Sequence, residues 1–265
     1  GGIENARLLL ASNDVAPAGV GNDSDLVGRF FADHAIPRDT ATMVLFGGEI
    51  APFYKTNMDT RGAHFRATLS PTEAFRRARQ LTGALITVEQ HVELDELGKA
   101  AVTTTSAALG VDGSEAHAYS LGVGLELAPD PERRLTLTGE RDALDMPRLK
   151  LNMTISDDDF ARYRVTLIEL ARQLLASKTG MLRLDRQTRA EWLSVLDWGN
   201  HHLGTTRMHD NPKQGVVDAN SQVHGLANVF IAGSSIFPTY SASNPTLNLV
   251  ALTLRLADHL KGVFR

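Results

Sequence analysis

Apolar residues recur along this chain at two periods. From Phe160 onward, Tyr163, Leu167, Leu170 and Leu174 return at helical spacing until Gly180. Ser156 stands before this run, and Asp157, Asp158 and Asp159 place negative charge where a helix macrodipole is positive, so a helix is expected to start there and to cover a sheet. Ser70-Pro-Thr-Glu73 reads as a capping box with proline at the first helical position, which predicts a helix over roughly 71–81. Thr42-Met-Val-Leu-Phe46 and Ala84-Leu-Ile-Thr-Val88 are short strand-like runs. In Pro129-Asp-Pro-Glu-Arg-Arg-Leu-Thr-Leu137 a turn leads into an alternating segment with one buried face.

The two ends have a different texture. Gly1-Gly2 runs into Asn5-Ala-Arg-Leu-Leu-Leu-Ala-Ser12, which suits the turn and helix after a buried strand, with glycines permitting close backbone approach to a ligand. Between Gly21 and Pro37 turn residues crowd together and mark a domain crossing. After Trp198, glycine, asparagine, serine and threonine surround short apolar runs, notably Val229-Phe-Ile-Ala232 followed by Gly233-Ser-Ser235. Asn244-Pro245 before the apolar Leu247–Leu254 run reads as an N-cap with proline at N1. The expected division is therefore a portion built from residues 1–37 and 198–265, around an α+β portion over 38–197. A chain that lacks an initial Met and opens on an apolar run is expected to be cut from something longer.

Composition narrows the chemistry. The 265 residues are 43% hydrophobic, which suits a filled core, and 27 basic against 31 acidic residues give a net charge of -4, with no footprint for nucleic acid or an anionic membrane. Zero cysteines exclude disulfides, thiolate metal sites and cysteine nucleophiles, so any redox chemistry needs a bound cofactor. No run of about 18 apolar residues predicts a membrane span, and no secretory signal stands at the start, so a cytoplasmic location is the default expectation. His201, His202 and His209 lack the spacing of a zinc site, so no metal is expected. His34, His64, His91, His117 and His259 read as scattered core or surface histidines.

The chemistry-bearing stretch is Gly199-Asn-His-His-Leu-Gly-Thr-Thr-Arg-Met208, followed by Gly215-Val-Val-Asp218, Val223-His-Gly225, Asn228-Val-Phe-Ile-Ala-Gly-Ser234 and Ser243-Asn-Pro-Thr246. In this order the segments resemble the closing part of the glucose-methanol-choline (GMC) oxidoreductases. Gly1-Gly-Ile-Glu-Asn-Ala-Arg-Leu-Leu-Leu10 and the Val-Gly-Arg-Phe-Phe-Ala-Asp-His run over 27–34 resemble earlier pieces of the same family. The middle of the chain matches loosely.

That resemblance implies oxidation of a CH-OH group of an alcohol or sugar by FAD, a base taking the hydroxyl proton while hydride passes to the flavin. His201 stands in the His-x-x-Gly-Thr context of the family's catalytic histidine, and an imidazole titrating near neutrality suits the base. His202 is the competitor; on an extended segment the two rings point to opposite faces, and the spacing favours His201. Asn244 occupies the position of a hydrogen-bonding partner for the substrate hydroxyl, a role compatible with capping a helix. The start of that helix would present the Thr246 N–H to negative charge developing on a reduced flavin. Gly233, Ser234, Asn244, Pro245 and Thr246 are the expected cofactor contacts.

The implied fold is α/β: an incomplete Rossmann-like FAD-binding domain from both chain ends, plus an α+β substrate domain whose sheet is covered by helices. The family's Gly-x-Gly-x-x-Gly turn is absent from this sequence. The expected partners are accordingly a small alcohol or sugar and a missing N-terminal FAD-binding segment or complementary chain. The alternative is a truncated, inactive ligand-binding remnant.

Overall fold

A computed structural model describes residues 1–263. Along the chain come α1 (Glu4–Ala11), β1 (Ala35–Pro37), β2 (Ala41–Leu45), the short pair β3 (Asn57–Met58) and β4 (His64–Phe65), α2 (Glu73–Arg79), β5 (Ala84–His91), α3 (Glu96–Leu109), β6 (His117–Leu125), β7 (Arg134–Arg141), β8 (Pro147–Asn152), α4 (Asp157–Ala176), β9 (Gly180–Leu184), α5 (Arg189–Ser194), β10 (Leu196–Trp198) and α6 (Thr246–Val263). The chain forms two compact units: one of Gly1–His34, Leu127–Ile155 and Gly199–Arg265, the other of Ala35–Glu126 and Ser156–Trp198.

The second unit is α+β. Its six-stranded sheet runs β10-β1-β6-β2-β9, with β5 also pairing β6, and every pairing is antiparallel. β6 is buried over most of its length because β2 and β5 pair along it. α4 packs on β9, as the acidic start and apolar stripe predict. Ser156 caps it in a reciprocal capping box with Asp159, and Tyr163, Leu167 and Leu174 are buried. Its aromatic stripe packs at a tilt against Trp192 of α5, fully buried with ring centroids 5.5 Å from Tyr163 and 5.7 Å from Phe160.

α2 begins later than the expected residue 71. Thr72, not Ser70, is the N-cap, accepting from the Phe75 N–H at 3.3 Å. The reason lies one residue upstream, where Leu69 bridges Ile86 of β5 and keeps the chain extended.

The first unit packs α1 and the loops after Trp198 around Leu9, Val27, Phe31, Leu203, Val217 and Ile236, each burial contributing about 1.5–3 kcal/mol. Residues 127–155, expected with the middle of the chain, pack here instead. The β7–β8 hairpin is held because Leu135 enters this core and donates its backbone N–H to the Gly28 carbonyl at 2.8 Å, while Arg7 of α1 bonds Asp142 at the hairpin tip, 2.5 Å. Val229–Ala232 joins neighbours through an isolated bridge, Gln222 to Phe230. Mixed α/β describes the chain.

Candidate active site

The His-x-x-Gly-Thr segment is shaped by close backbone contacts. Gly204 lies at φ +83°, and a Cβ there would sit 2.2 Å from the Phe30 carbonyl oxygen. Thr205, fully buried, donates its hydroxyl to the Gly2 carbonyl, and a Cβ on Gly2 would lie 2.0 Å from the carbonyl oxygen of His202. The neighbour that Gly2 approaches is thus protein backbone. Asn5 of α1 adds a second tie, donating to the Ser235 hydroxyl at 2.8 Å, and Ser235 in turn accepts from Thr206 at 2.7 Å.

These contacts set out the two histidines. The half-buried His201 receives its position from Asp33, whose Oδ1 accepts the backbone N–H of His201 at 2.8 Å and of His34 at 2.7 Å. Its Nδ1 lies 2.9 Å from Nδ1 of His34, the rings meeting edge to face. His34 is buried, and its Nε2 lies 2.9 Å from the Ser241 carbonyl oxygen. The Tyr240 ring packs edge-on to His34, and its hydroxyl donates to the Asp33 carbonyl at 3.1 Å while accepting the Leu127 N–H at 2.8 Å. His202 turns to other neighbours, with its ring 5.6 Å from Phe31 and Nε2 3.8 Å from the second oxygen of Asp33.

Of the expected flavin contacts, Gly233 has φ +127° and ψ 179°, a conformation open to glycine, and starts the turn of Ser234–Ile236. Ser234 is buried and donates to the His202 carbonyl at 2.7 Å, so its hydroxyl holds the histidine segment. Asn244 is exposed, Pro245 is buried, and Thr246 opens α6 exposed. The tie from the Asn244 region to His201 runs through Ser241 and His34.

Sequence reasoning missed Asp33 and His34. His34 reads as a scattered histidine, yet it touches His201 across 167 residues. The available signal was its place at the end of the Val27–His34 run already compared with the family. Asp33, His34 and His201 also form a group whose possible ligand atoms lie within 4.8 Å of one another, a set that spacing along the chain cannot reveal. Those atoms are engaged already, the carboxylate oxygen by two N–H groups and the imidazoles by each other.

The histidine on its glycine-threonine turn, the seryl turn beside it and the exposed Asn-Pro-Thr helix start all lie within the span that a family model matches. The family model described as GMC oxidoreductase matches residues 129–253, so this part of the chain carries the C-terminal domain of that family. Among relatives, the fructose dehydrogenase large subunit of Gluconobacter japonicus is 29% identical over 268 residues, covering 97% of this chain and 45% of that protein. A C-glycoside 3-oxidase of Microbacterium trichothecenolyticum is 32% identical over 57% of this chain and 29% of its own length. In fold the chain is similar to the pyridoxine 4-oxidase of Mesorbium loti (TM-score 0.55, 19% identity, covering 98% of this chain and 50% of that one). It is also similar to a formate oxidase, with TM-score 0.53 and 18% identity, covering 99% of this chain and 53% of that one. The chain thus spans about half the length of such relatives. No helix among the described residues is long and apolar enough to cross a membrane.

Proposed function

We propose that this chain supplies the base and part of the flavin cradle of an FAD-dependent oxidoreductase acting on a CH-OH group of a sugar or other alcohol. The observation that carries the reading is His201, positioned by Asp33, His34 and Gly204 so that Nδ1 is engaged and Nε2 remains to take a hydroxyl proton. His202 is the weaker candidate because its ring lies against Phe31 and Asp33. Asn244, exposed before α6, orients the hydroxyl, its amide able both to donate and to accept.

The residues present fit a flavin. α6 is an 18-residue helix whose first N–H groups have no acceptor within the helix, and Asn244 and Thr246 stand exposed at that end. Gly233, Ser234, Asn244, Pro245 and Thr246 would hold the group from this side, with Thr246 at the dipole end favouring negative charge. Bound there, a flavin would supply the acceptor for the hydride released from the alcohol carbon. The pyrophosphate turn comes from the remaining segment or a complementary chain, and the first unit is the corresponding part of a Rossmann-like domain. Leu8, Leu247 and Leu254 of α1 and α6, all more than half exposed, supply apolar surface for it.

The relatives named for fructose and C-glycosides make polyhydroxylated substrates the first to test. A screen of sugars, glycosides and simple alcohols with a dye acceptor, run with and without oxygen on flavin-loaded protein completed by a segment bearing the nucleotide turn, checks this. Turnover of a sugar supports the reading. A flavin-loaded protein that reduces no dye with any of them favours a ligand-binding remnant.

A further inference from the structure

We infer that His34 fixes the tautomer of His201 and so decides which of its nitrogens acts as base; the functional consequence rests on the proposal that His201 is that base. Start from the Ser241 carbonyl, 2.9 Å from Nε2 of His34. A carbonyl oxygen only accepts, so this nitrogen carries the hydrogen. A neutral imidazole has one N–H, and here it is on Nε2. Nδ1 of His34 is therefore a lone pair aimed at Nδ1 of His201, 2.9 Å away, and His201 must donate to it. That leaves neutral His201 with its hydrogen on Nδ1 and its lone pair on Nε2, the opposite of the tautomer that free neutral histidine prefers in water.

The surroundings hold this relay in place. Asp33 Oδ1 binds the backbone N–H of both residues, so the two rings share one anchor. Tyr240 packs edge-on to His34, and a Cβ on Gly199 would stand 3.0 Å from both the His34 Cβ and the His201 Nδ1, so glycine lets the rings meet. When Nε2 takes a proton, the Nδ1–H bond to His34 becomes charge-assisted and strengthens, as the imidazolium forms. His34 never touches the substrate in this account. It is a positioning residue, the neutral counterpart of the carboxylate that orients histidine in hydrolase triads.

Three variants separate positioning from bulk. His34→Phe removes the contacts to Ser241 and His201, His34→Gln keeps a donor toward Ser241, and His34→Asn keeps an acceptor toward His201. Long-range proton–nitrogen NMR correlations of the flavin-loaded protein labelled in its histidine rings read the tautomer directly, without substrate. The parent and His34→Asn should show His201 hydrogen on Nδ1, while His34→Phe and His34→Gln shift it toward Nε2. In flavin-reduction kinetics the latter two should lose about 10- to 100-fold in kcat with KM unchanged, and His34→Asn should recover most of the rate. A parental His201 with its hydrogen on Nε2, or one unmoved in both His34→Phe and His34→Gln, overturns the inference. If the protein oxidises no alcohol, the function falls, but the tautomer measurement still decides the role of His34.

Discussion

Gly2 shows how much the site depends on single atoms. Its missing Cβ is what lets the start of the chain lie against the carbonyl of His202, backbone that cannot swing aside like a side chain. Gly2→Ala should therefore cost about 1–3 kcal/mol by overpacking and displace the histidine segment, read as a lower melting temperature together with slower flavin reduction. An unchanged melt would mean the contact is easily relieved. At this scale the sequence was legible where neighbours are contiguous: Gly204 takes the tight backbone approach and Thr205 the buried hydroxyl bond that their types imply. His34 was not, because adjacency to His201 is created by folding, and a lone histidine carries no mark of its partner. Ser234 lies beside the histidine segment, and its hydroxyl turns to the His202 carbonyl, a preference set by tertiary geometry.

Among the elements, those with complete local signals were readable. Ser156 and its acidic followers fixed the start of α4, and Ser156→Ala should remove about 1 kcal/mol, a fall of about 2–4 °C in the melting midpoint. α2 departs from its signal because the Leu69–Ile86 bridge competes for the same residues. The β7–β8 hairpin was readable as a turn and strand but not in its destination, since that depends on Leu135 and on the Arg7–Asp142 pair. Arg7, helped by the N–H groups of Met146 and Leu144, holds the Asp142 carboxyl down at about 2. A depressed folded value means the contribution is present above the ordinary carboxylate pKa near 3.9 and is lost as pH falls through about 2. Asp142→Asn should lower stability at neutral pH, with the difference from the parent closing between about pH 4 and pH 2 in acid-unfolding curves. A pH-independent difference would assign the effect to packing.

For the whole molecule, the central fact is coverage of about half of its relatives' length, with no glycine-rich nucleotide turn in these 265 residues. The sequence made this readable, since an absent motif needs no folding to detect; the partition into units did not follow, because it is set by contacts such as Leu135 in the first core. If the flavin cradle is shared, fluorescence titration of FAD should show little saturable binding by this chain alone and saturable binding once a segment bearing the nucleotide turn is supplied. Tight binding by the chain alone would contradict that division of labour. Rapid mixing of the completed, flavin-loaded protein with its alcohol substrate tests His201 as proton acceptor most directly. His201→Ala should slow flavin reduction by about 10²–10⁴-fold while His202→Ala stays within several-fold of the parent; reduction at the parental rate in His201→Ala would contradict the account.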